Sequence, residues 1–218
     1  MRSAPVSQPA GVLIADDHAV VRARLRQFLV DEPAIREIGE ASSGTETLDK
    51  LRSGTWDLVL LDIFMPDRSG LDILRHIRTG HPTVKVLILS ALPEQQYAVN
   101  VLRAGASGYL PKDSEPEELV KAVHTVLSGR RYVSAALAQI LVSDLDGDPD
   151  RPLHACLSAR EFQIFCKIAG GSGVSQIANE LSLSVKTVST YRSRILEKMS
   201  FRSNADVTSY ALRNGIIQ

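Results

Sequence analysis

Three aspartates, a serine and a lysine are the residues of this chain whose types and spacing could do chemistry. Asp16 and Asp17 directly follow the short apolar run Val12-Leu13-Ile14-Ala15, and Asp62 follows Leu58-Val59-Leu60-Leu61. Ser90 ends the run Val84-Lys85-Val86-Leu87-Ile88-Leu89, and Lys112 comes just after Gly108-Tyr109-Leu110. Short, nearly continuous aliphatic runs read as strands buried on both faces. In a parallel sheet of such strands, ligands bind outside the carboxyl ends. The polar residues therefore converge at one mouth. Crowded carboxylates repel one another and favour a hard, oxygen-liganded cation such as Mg²⁺. A carboxylate that attacks phosphorus forms an acyl phosphate, a covalent intermediate available to Asp. A metal would neutralise the phosphoryl oxygens and hold them in line, Ser90 could donate a hydrogen bond to one, and Lys112 would supply a point charge. Singly, each residue has an ordinary explanation: Asp16-Asp17 could cap a helix beginning near His18, and Lys112 could be a surface lysine. The placement of five polar groups at four strand ends carries the chemical reading.

The elements that must position these groups follow from periodicity. Ile35–Ala41 and Gly108–Leu110 are weaker strand candidates. Ser43-Gly44-Thr45-Glu46 and Ser114-Glu115-Pro116-Glu117 have the form of capping boxes opening helices. Five strands alternating with five helices imply a doubly wound, flavodoxin-like parallel α/β sheet. Pro111 lacks a ladder donor and places the last strand at an edge. A further helix is expected over Ser134–Asp144, and the acidic, Pro- and Gly-containing stretch Asp144–Pro152 reads as a linker. Its alternating aspartates do not make a calcium loop, because Pro149 interrupts them and the downstream Glu is missing.

Beyond the linker the pattern is all helical. Ser158-Ala159-Arg160-Glu161 is a third capping box, opening a helix that stops at Gly170-Gly171. Val174–Leu181, the turn Ser182-Leu183-Ser184 and Val185–Met199 have the spacing of a helix-turn-helix, and Ser203-Asn204-Ala205-Asp206 starts a last helix. On the long helix, Val188, Tyr191, Ile195 and Met199 form one face to bury. Lys186, Ser189, Thr190 and Ser193 lie on the other face, flanked by Arg192 and Arg194. The domains are expected at 1–10 (flexible tail), 11–130 (phosphoacceptor unit), 131–156 (linker helix and flexible linker) and 157–218 (DNA-reading unit).

Charge supports this division. The chain has 25 basic and 25 acidic residues; nine and four of these lie in 151–218, which leaves 16 and 21 before it. A net charge of zero thus hides an acidic unit followed by a basic one, as an anion-binding module would require. Two cysteines, Cys156 and Cys166, imply no disulfide framework and read as small apolar residues in helical segments. No apolar run approaches the roughly 20 residues of a membrane span, and Met1–Ala10 lacks the apolar core of a secretory signal, so a cytoplasmic protein with no membrane partner is expected.

Residues Val12–Ser128 resemble the receiver domain of two-component response regulators: Asp16-Asp17, Leu60-Leu61-Asp62 with Met65-Pro66, Ser90-Ala91, and Gly108-Tyr109-Leu110-Pro111-Lys112. Residues Leu157–Gln218 resemble the DNA-binding domain shared by NarL, FixJ and LuxR regulators. The matching segments are Leu157–Glu161, Ile177-Ala178 with Leu181, Ser184–Val188 and Leu196–Met199. The resemblance implies Asp62 as phosphoacceptor and Asp17 and Asp62 as direct Mg²⁺ ligands. It also implies Asp16 acting mainly through water, the Phe64 carbonyl completing the protein ligands, and Ser90 and Tyr109 as switch residues that follow the phosphoryl group. A sensor histidine kinase as donor, promoter DNA as target and a homodimer formed on phosphorylation come with it.

Departures bear on the target. Many members carry Lys where this chain has Ser189, and often Lys before the Ile-Ala pair, where it has Ser175-Gln176. Shorter, more neutral side chains then read the DNA. Other functions fit less well. An Asp-dependent phosphatase or phosphotransferase usually carries a second Asp two residues after the first, where Phe64 stands, so turnover on an external substrate is not expected. A ligand-sensing LuxR-type regulator has no use for the Asp17, Asp62 and Lys112 set. A receiver acting through protein contacts alone, its helical unit serving dimerisation, is a further alternative.

Overall fold

The structure, a computed structural model, describes residues 9–65, 67–91, 94–139 and 152–217. Five strands, β1 (Ala10–Ala15), β2 (Ile35–Ala41), β3 (Leu58–Asp62), β4 (Lys85–Ser90) and β5 (Gly108–Pro111), form one sheet in the order β2-β1-β3-β4-β5. Every neighbouring pair is parallel. Helices α1 (Ala19–Leu29) and α5 (Pro116–Leu127) cover one face; α2 (Gly44–Ser53), α3 (Gly70–Gly80) and α4 (Glu94–Arg103) cover the other. This is the expected doubly wound fold, with β5 at an edge.

Alternation along the strands explains the continuous apolar runs. Val12, Ile14, Leu58, Leu60, Leu87 and Leu89 pack with α1 and α5, whereas Leu13, Ala15, Val59, Leu61, Val86 and Ile88 pack on the opposite side. A period of two with both faces covered leaves no position for a polar residue until the strand ends. Gly70 sets the return into α3: a Cβ there would lie 2.2 Å from the Asp62 carbonyl oxygen, and its own N–H donates to the Ile63 carbonyl at 3.0 Å.

Two helix starts differ from expectation. Ser43 accepts from the Glu46 N–H at 3.1 Å, but the Glu46 carboxylate returns to the Ser42 N–H at 2.7 Å, so only half the box forms. The Ser114 box does not form: the N-cap of α5 is Glu115, in extended conformation and with no side-chain cap. Pro116 is the reason, since proline forces the residue before it out of the helical region and itself suits the first helical position.

The helical unit opens with a 3₁₀ turn (Leu153–Cys156), followed by α6 (Ala159–Ala169), α7 (Val174–Glu180), α8 (Val185–Lys198) and α9 (Asn204–Arg213). Both bonds of the Ser158–Glu161 capping box are present, and Ser203 and Asp206 form another. Cys156 departs from the apolar role expected of it: it sits exposed on the 3₁₀ turn. Cys166 lies on α6, where burial pushes its thiol up to about 12. Residues 135–139 are helical, and Leu137 is buried. The rest of the Ser134–Asp144 helix, the linker up to Arg151 and residues 1–8 of the tail lie outside the described residues. Among the described residues, no helix is long and apolar enough to cross a membrane.

His154 ties the 3₁₀ turn to the helical core. It is 4% exposed, its Nδ1 lies 3.0 Å from Tyr210 Oη, and burial lowers its pKa from 6.5 to about 4. Above about pH 6.5 the imidazole is neutral whether the chain is folded or not. As the pH falls towards 4, the unfolded chain takes up a proton that the folded chain refuses, so stability drops by roughly 3 kcal/mol across that window. Replacing His154 with Gln removes the titration. Equilibrium denaturation of the full chain at pH 7 and pH 4.5 should show a smaller loss for H154Q than for the unsubstituted protein; equal losses would contradict this account.

Candidate functional site

The carboxyl edge of the sheet brings the sequence-identified groups together. Asp16 follows β1, Asp62 ends β3, Ser90 ends β4 and Lys112 follows β5, whose Pro111 is in register with Ser90. Asp16, Asp62 and Ser90 are buried, and Asp17 is half-buried. Lys112 Nζ lies 2.6 Å from Asp16 Oδ2 and 2.8 Å from Asp62 Oδ2, bridging the two strand ends. Its backbone N–H donates to the Ser90 carbonyl at 2.9 Å, which fixes the lysine beside the end of β4. Arg22 braces the opposite side, donating to the Asp16 carbonyl at 2.8 Å.

Burial raises the Asp62 pKa, and the Asp16 charge adds to the rise, against the opposing pull of Lys112 and of the Phe64 N–H at 3.2 Å. Burial alone would lower the Lys112 pKa; Asp62 and Asp16 outweigh it and leave a net rise. One oxygen each from Asp16, Asp17 and Asp62 and one His18 nitrogen all lie within 4.8 Å of one another. Three carboxylates against one lysine leave an excess of two negative charges, which matches a divalent cation. The donor set, three carboxylates beside one imidazole, is compatible with a divalent cation.

Tyr109 is fully buried, and its hydroxyl hydrogen-bonds Ser90. Burial is the chief cause raising its pKa, with the Glu94 and Asp62 charges adding to it. The Tyr109 side chain is thus turned inward. Phe64 is half-buried and packs against the core on the α2–α4 side. Asp67 anchors the loop between β3 and α3: its carboxylate accepts from the Gly44 N–H at 2.7 Å and the Thr45 N–H at 2.8 Å at the start of α2.

Four polar residues that sequence reasoning did not single out join the two units. Ser69, the N-cap of α3, is fully buried and donates to Gln163 Oε1 at 3.0 Å. Arg160, 2% exposed, donates to the same Gln163 oxygen and lies 3.3 Å from Asp72 Oδ2. Around them α4 packs against α6, and one apolar cluster runs from Tyr109 and Val101 to Phe162 and Ile168. A signal was present in the sequence: Phe162, Ile164, Phe165 and Ile168 spread over a broad face of α6, wider than one neighbouring helix covers.

On the helical unit, α7 and α8 meet at a turn in which Ser182 takes a left-handed φ of 52°. Ser184 caps α8, accepting from the Thr187 N–H at 3.0 Å. Val188, Ile195 and Met199 are buried, and Tyr191 is half-buried against the core. Lys186, Ser189, Thr190, Ser193 and Arg194 are exposed on the outer face, away from the contact with α4. Arg192 is half-buried, and its Nε donates to Asn204 Oδ1 at 2.6 Å, so it braces α8 against the start of α9. Val185, at the first turn of α8, is 51% exposed.

A doubly wound sheet with this acidic mouth, joined to a helix-turn-helix, defines a two-part regulator. Residues 12–124 match the family described as response regulator receiver domain, and residues 155–211 match bacterial regulatory proteins of the luxR family. Response regulator GacA of Pseudomonas protegens (strain DSM 19095 / LMG 27888 / CFBP 6595 / CHA0) is 40% identical over 207 residues, covering 94% of this chain and 97% of GacA. Response regulator UvrY of Escherichia coli (strain K12) is 37% identical over 206 residues, 94% of each chain. RcsB from Salmonella enterica serovar Typhimurium, solved bound to promoter rprA with the phosphomimetic BeF3−, superposes with a TM-score of 0.73 over 93% of this chain and 98% of RcsB, at 23% identity. The chain belongs to the NarL/FixJ-type response regulators, transcription regulators of two-component systems in which a receiver domain precedes a LuxR-type DNA-binding domain.

Proposed function

We propose that Asp62 accepts a phosphoryl group from the phosphohistidine of a sensor kinase and that the modification governs promoter binding by α8. The observation that carries this reading is the Lys112 ammonium held between Asp16 and Asp62 at the carboxyl edge, 2.6 and 2.8 Å away. An Asp62 oxygen forms the bond to phosphorus as the bond from phosphorus to the donor's imidazole breaks, and the imidazole leaves with a proton. Asp17, Asp62 and the Phe64 carbonyl would hold Mg²⁺ directly, with Asp16 acting through water; the ion would neutralise charge on the phosphoryl oxygens. Lys112 pairs with one such oxygen, and Ser90 donates its hydroxyl to another. Nothing in this scheme turns over an external substrate.

Lys186, Ser189, Thr190 and Ser193 meet base edges, while Arg194 meets phosphate. Arg192 contributes through its hold on Asn204 and secondarily through its charge. Binding as a homodimer to two half-sites fits the helix-turn-helix, and the RcsB complex with promoter DNA supports the docking mode. A cytoplasmic location suits both partners. Incubation with acetyl phosphate and Mg²⁺, followed by intact mass measurement and selection from genomic DNA, tests the proposal. A phosphoryl adduct with enriched, donor-dependent promoter fragments is expected; no adduct at all would overturn it.

Phe64 should set the lifetime of the phosphorylated state. Its ring stands two residues from Asp62 and obstructs water approaching the acyl phosphate, while a polar side chain there would guide water in. Decay of the Asp62 phosphate in Phe64→Asn, followed by intact mass, is expected to be faster than in the unsubstituted protein. An unchanged decay rate would sink the idea.

A further inference from the structure

We propose that His18 adds an imidazole nitrogen to the carboxylate cluster, so that the receiver's cation site takes borderline transition ions such as Co²⁺ and Zn²⁺ with an affinity that three carboxylates alone would not give. This rests on Asp17 and Asp62 forming the cation site, and it concerns a residue that the hard-oxygen reading leaves without a role.

The backbone explains why the ring is where it is. His18 is the N-cap of α1, in extended conformation with φ −85° and ψ 109°, yet its side chain makes no capping bond. Its N–H instead donates to Asp16 Oδ1 at 2.9 Å, which closes a tight turn after the two aspartates and swings the imidazole over them. Nδ1 then lies 2.7 Å from Asp17 Oδ1 and 3.2 Å from Asp16 Oδ1. Asp17 Oδ1 is buried from solvent and makes no hydrogen bond among the described residues, although Nδ1 is so near. Nδ1 hydrogen-bonds Asp16 Oδ1 and stands beside Asp17 Oδ1 without bonding it, so an ion entering the cluster would exchange that single bond for a ligand bond to each atom. Asp16 and Asp62 supply the remaining donors within the same 4.8 Å. Lys112 approaches the other oxygens of that pair, Oδ2 of each, and leaves the His18 side of the cluster clear.

The donor chemistry gives the selectivity. Mg²⁺ gains little from imidazole and keeps oxygen ligands and water. Borderline ions gain from it in the order of the divalent series, and a histidine ligand is a common way to hold them. The exposed edge of the ring would be free to bond water, which orients a ligating imidazole.

Mn²⁺ binds oxygen sites as Mg²⁺ does and reports nitrogen ligation through its electron spin echo. The full-length protein, His18→Ala and Asp17→Asn should each be titrated with Co²⁺, Mn²⁺ and Mg²⁺, and the Mn²⁺ complexes examined for ¹⁴N modulation. The expected result is ¹⁴N coupling in the unsubstituted protein that is lost in His18→Ala. Co²⁺ affinity should fall roughly tenfold in that variant while Mg²⁺ affinity changes by less than about twofold. Mn²⁺ bound without ¹⁴N coupling would overturn the His18 assignment and leave the carboxylate site standing. Coupling that persists in both variants would place the nitrogen on another histidine, with the same consequence. Failure of Mn²⁺ and Mg²⁺ to bind the unsubstituted protein would overturn both readings.

Discussion

Asp62→Ala is expected to fold and yet to show no phosphoryl adduct after acetyl phosphate and Mg²⁺, with DNA binding that no longer responds to the donor. The variant should be stable because the group removed is costly to the fold. Asp62 is 1% exposed, and its burial raises its pKa. Lys112 is not orphaned by the change, since Asp16 Oδ2 stays 2.6 Å from its Nζ. A buried cation that retains one close carboxylate avoids most of the penalty of an unpaired charge. With the proposed acceptor carboxylate removed, loss of the adduct should be complete. Intact mass gives the adduct, thermal unfolding the stability, and fluorescence anisotropy with a selected promoter fragment the binding. An adduct of undiminished stoichiometry in Asp62→Ala would sink the assignment.

The sheet was legible because both of its faces are covered. Val12–Ile14 and Leu58–Leu61 point alternately into two cores, so an uninterrupted apolar run was the only pattern available to them. The same burial made the polar residues at the strand ends conspicuous, and Asp16, Asp62, Ser90 and Lys112 meet where the runs stop. Helix starts were less legible. The Ser158 box forms as written, but the Ser114 pattern fails because Pro116 dictates the backbone before it. A spacing rule counts residue types and is blind to a neighbour that removes the needed φ and ψ. Arg192 shows a similar blind spot: its charge suggested phosphate contact, and only the fold reveals that Asn204 lies within its reach. His18 read as a helix start, and its approach to the carboxylates depends on a turn that no periodicity encodes.

The link between the two domains was the least legible feature, because it joins residues nearly a hundred positions apart. Ser69 and Gln163 are separated by 94 residues and share a buried hydrogen bond. Physically this bond lies close to Asp62. Gly70 packs on the Asp62 carbonyl, and the Asp67 carboxylate accepts from the Gly44 and Thr45 N–H groups at the start of α2, so both ends of this neighbourhood are held by direct contacts. On the proposed reading, a phosphoryl group of about −1.5 to −2 charge on Asp62 would pull Lys112 and Ser90 towards itself. A shift at the end of β3 would reach Ser69 through Gly70, which lies against the Asp62 carbonyl. The inward Tyr109 adds a second route, because it belongs to the same apolar cluster as Phe162 on α6. By population shift, the two routes matter only as far as the phosphoryl group binds one arrangement of the domains better than the other.

Arg160→Met should therefore weaken the docking of the DNA-binding domain and release α8 from the state of the receiver. Arg160 is 2% exposed, spans from Gln163 to Asp72, and is the one charged group of α6 buried in this contact among the described residues. Methionine keeps the length and the apolar packing but removes the charge-assisted bonds. Asp72 is 41% exposed and returns to water without an uncompensated burial. The cost thus falls mainly on the contact between domains rather than on either fold. A loss of about 1–3 kcal/mol moves the ratio of docked to undocked molecules by a factor of about 5 to 150. Small-angle scattering of the unphosphorylated protein should show a larger radius of gyration for Arg160→Met, while phosphorylation of Asp62 proceeds as before. Promoter affinity without donor should approach that of the phosphorylated protein, and the donor-dependent increment should shrink accordingly. Asp72→Asn, which removes the same charge pair from the receiver side, should act in the same direction and more weakly, since half of its carboxylate already faces water. Scattering unchanged in Arg160→Met, with the full donor dependence of binding retained, would show that the coupling does not run through this contact.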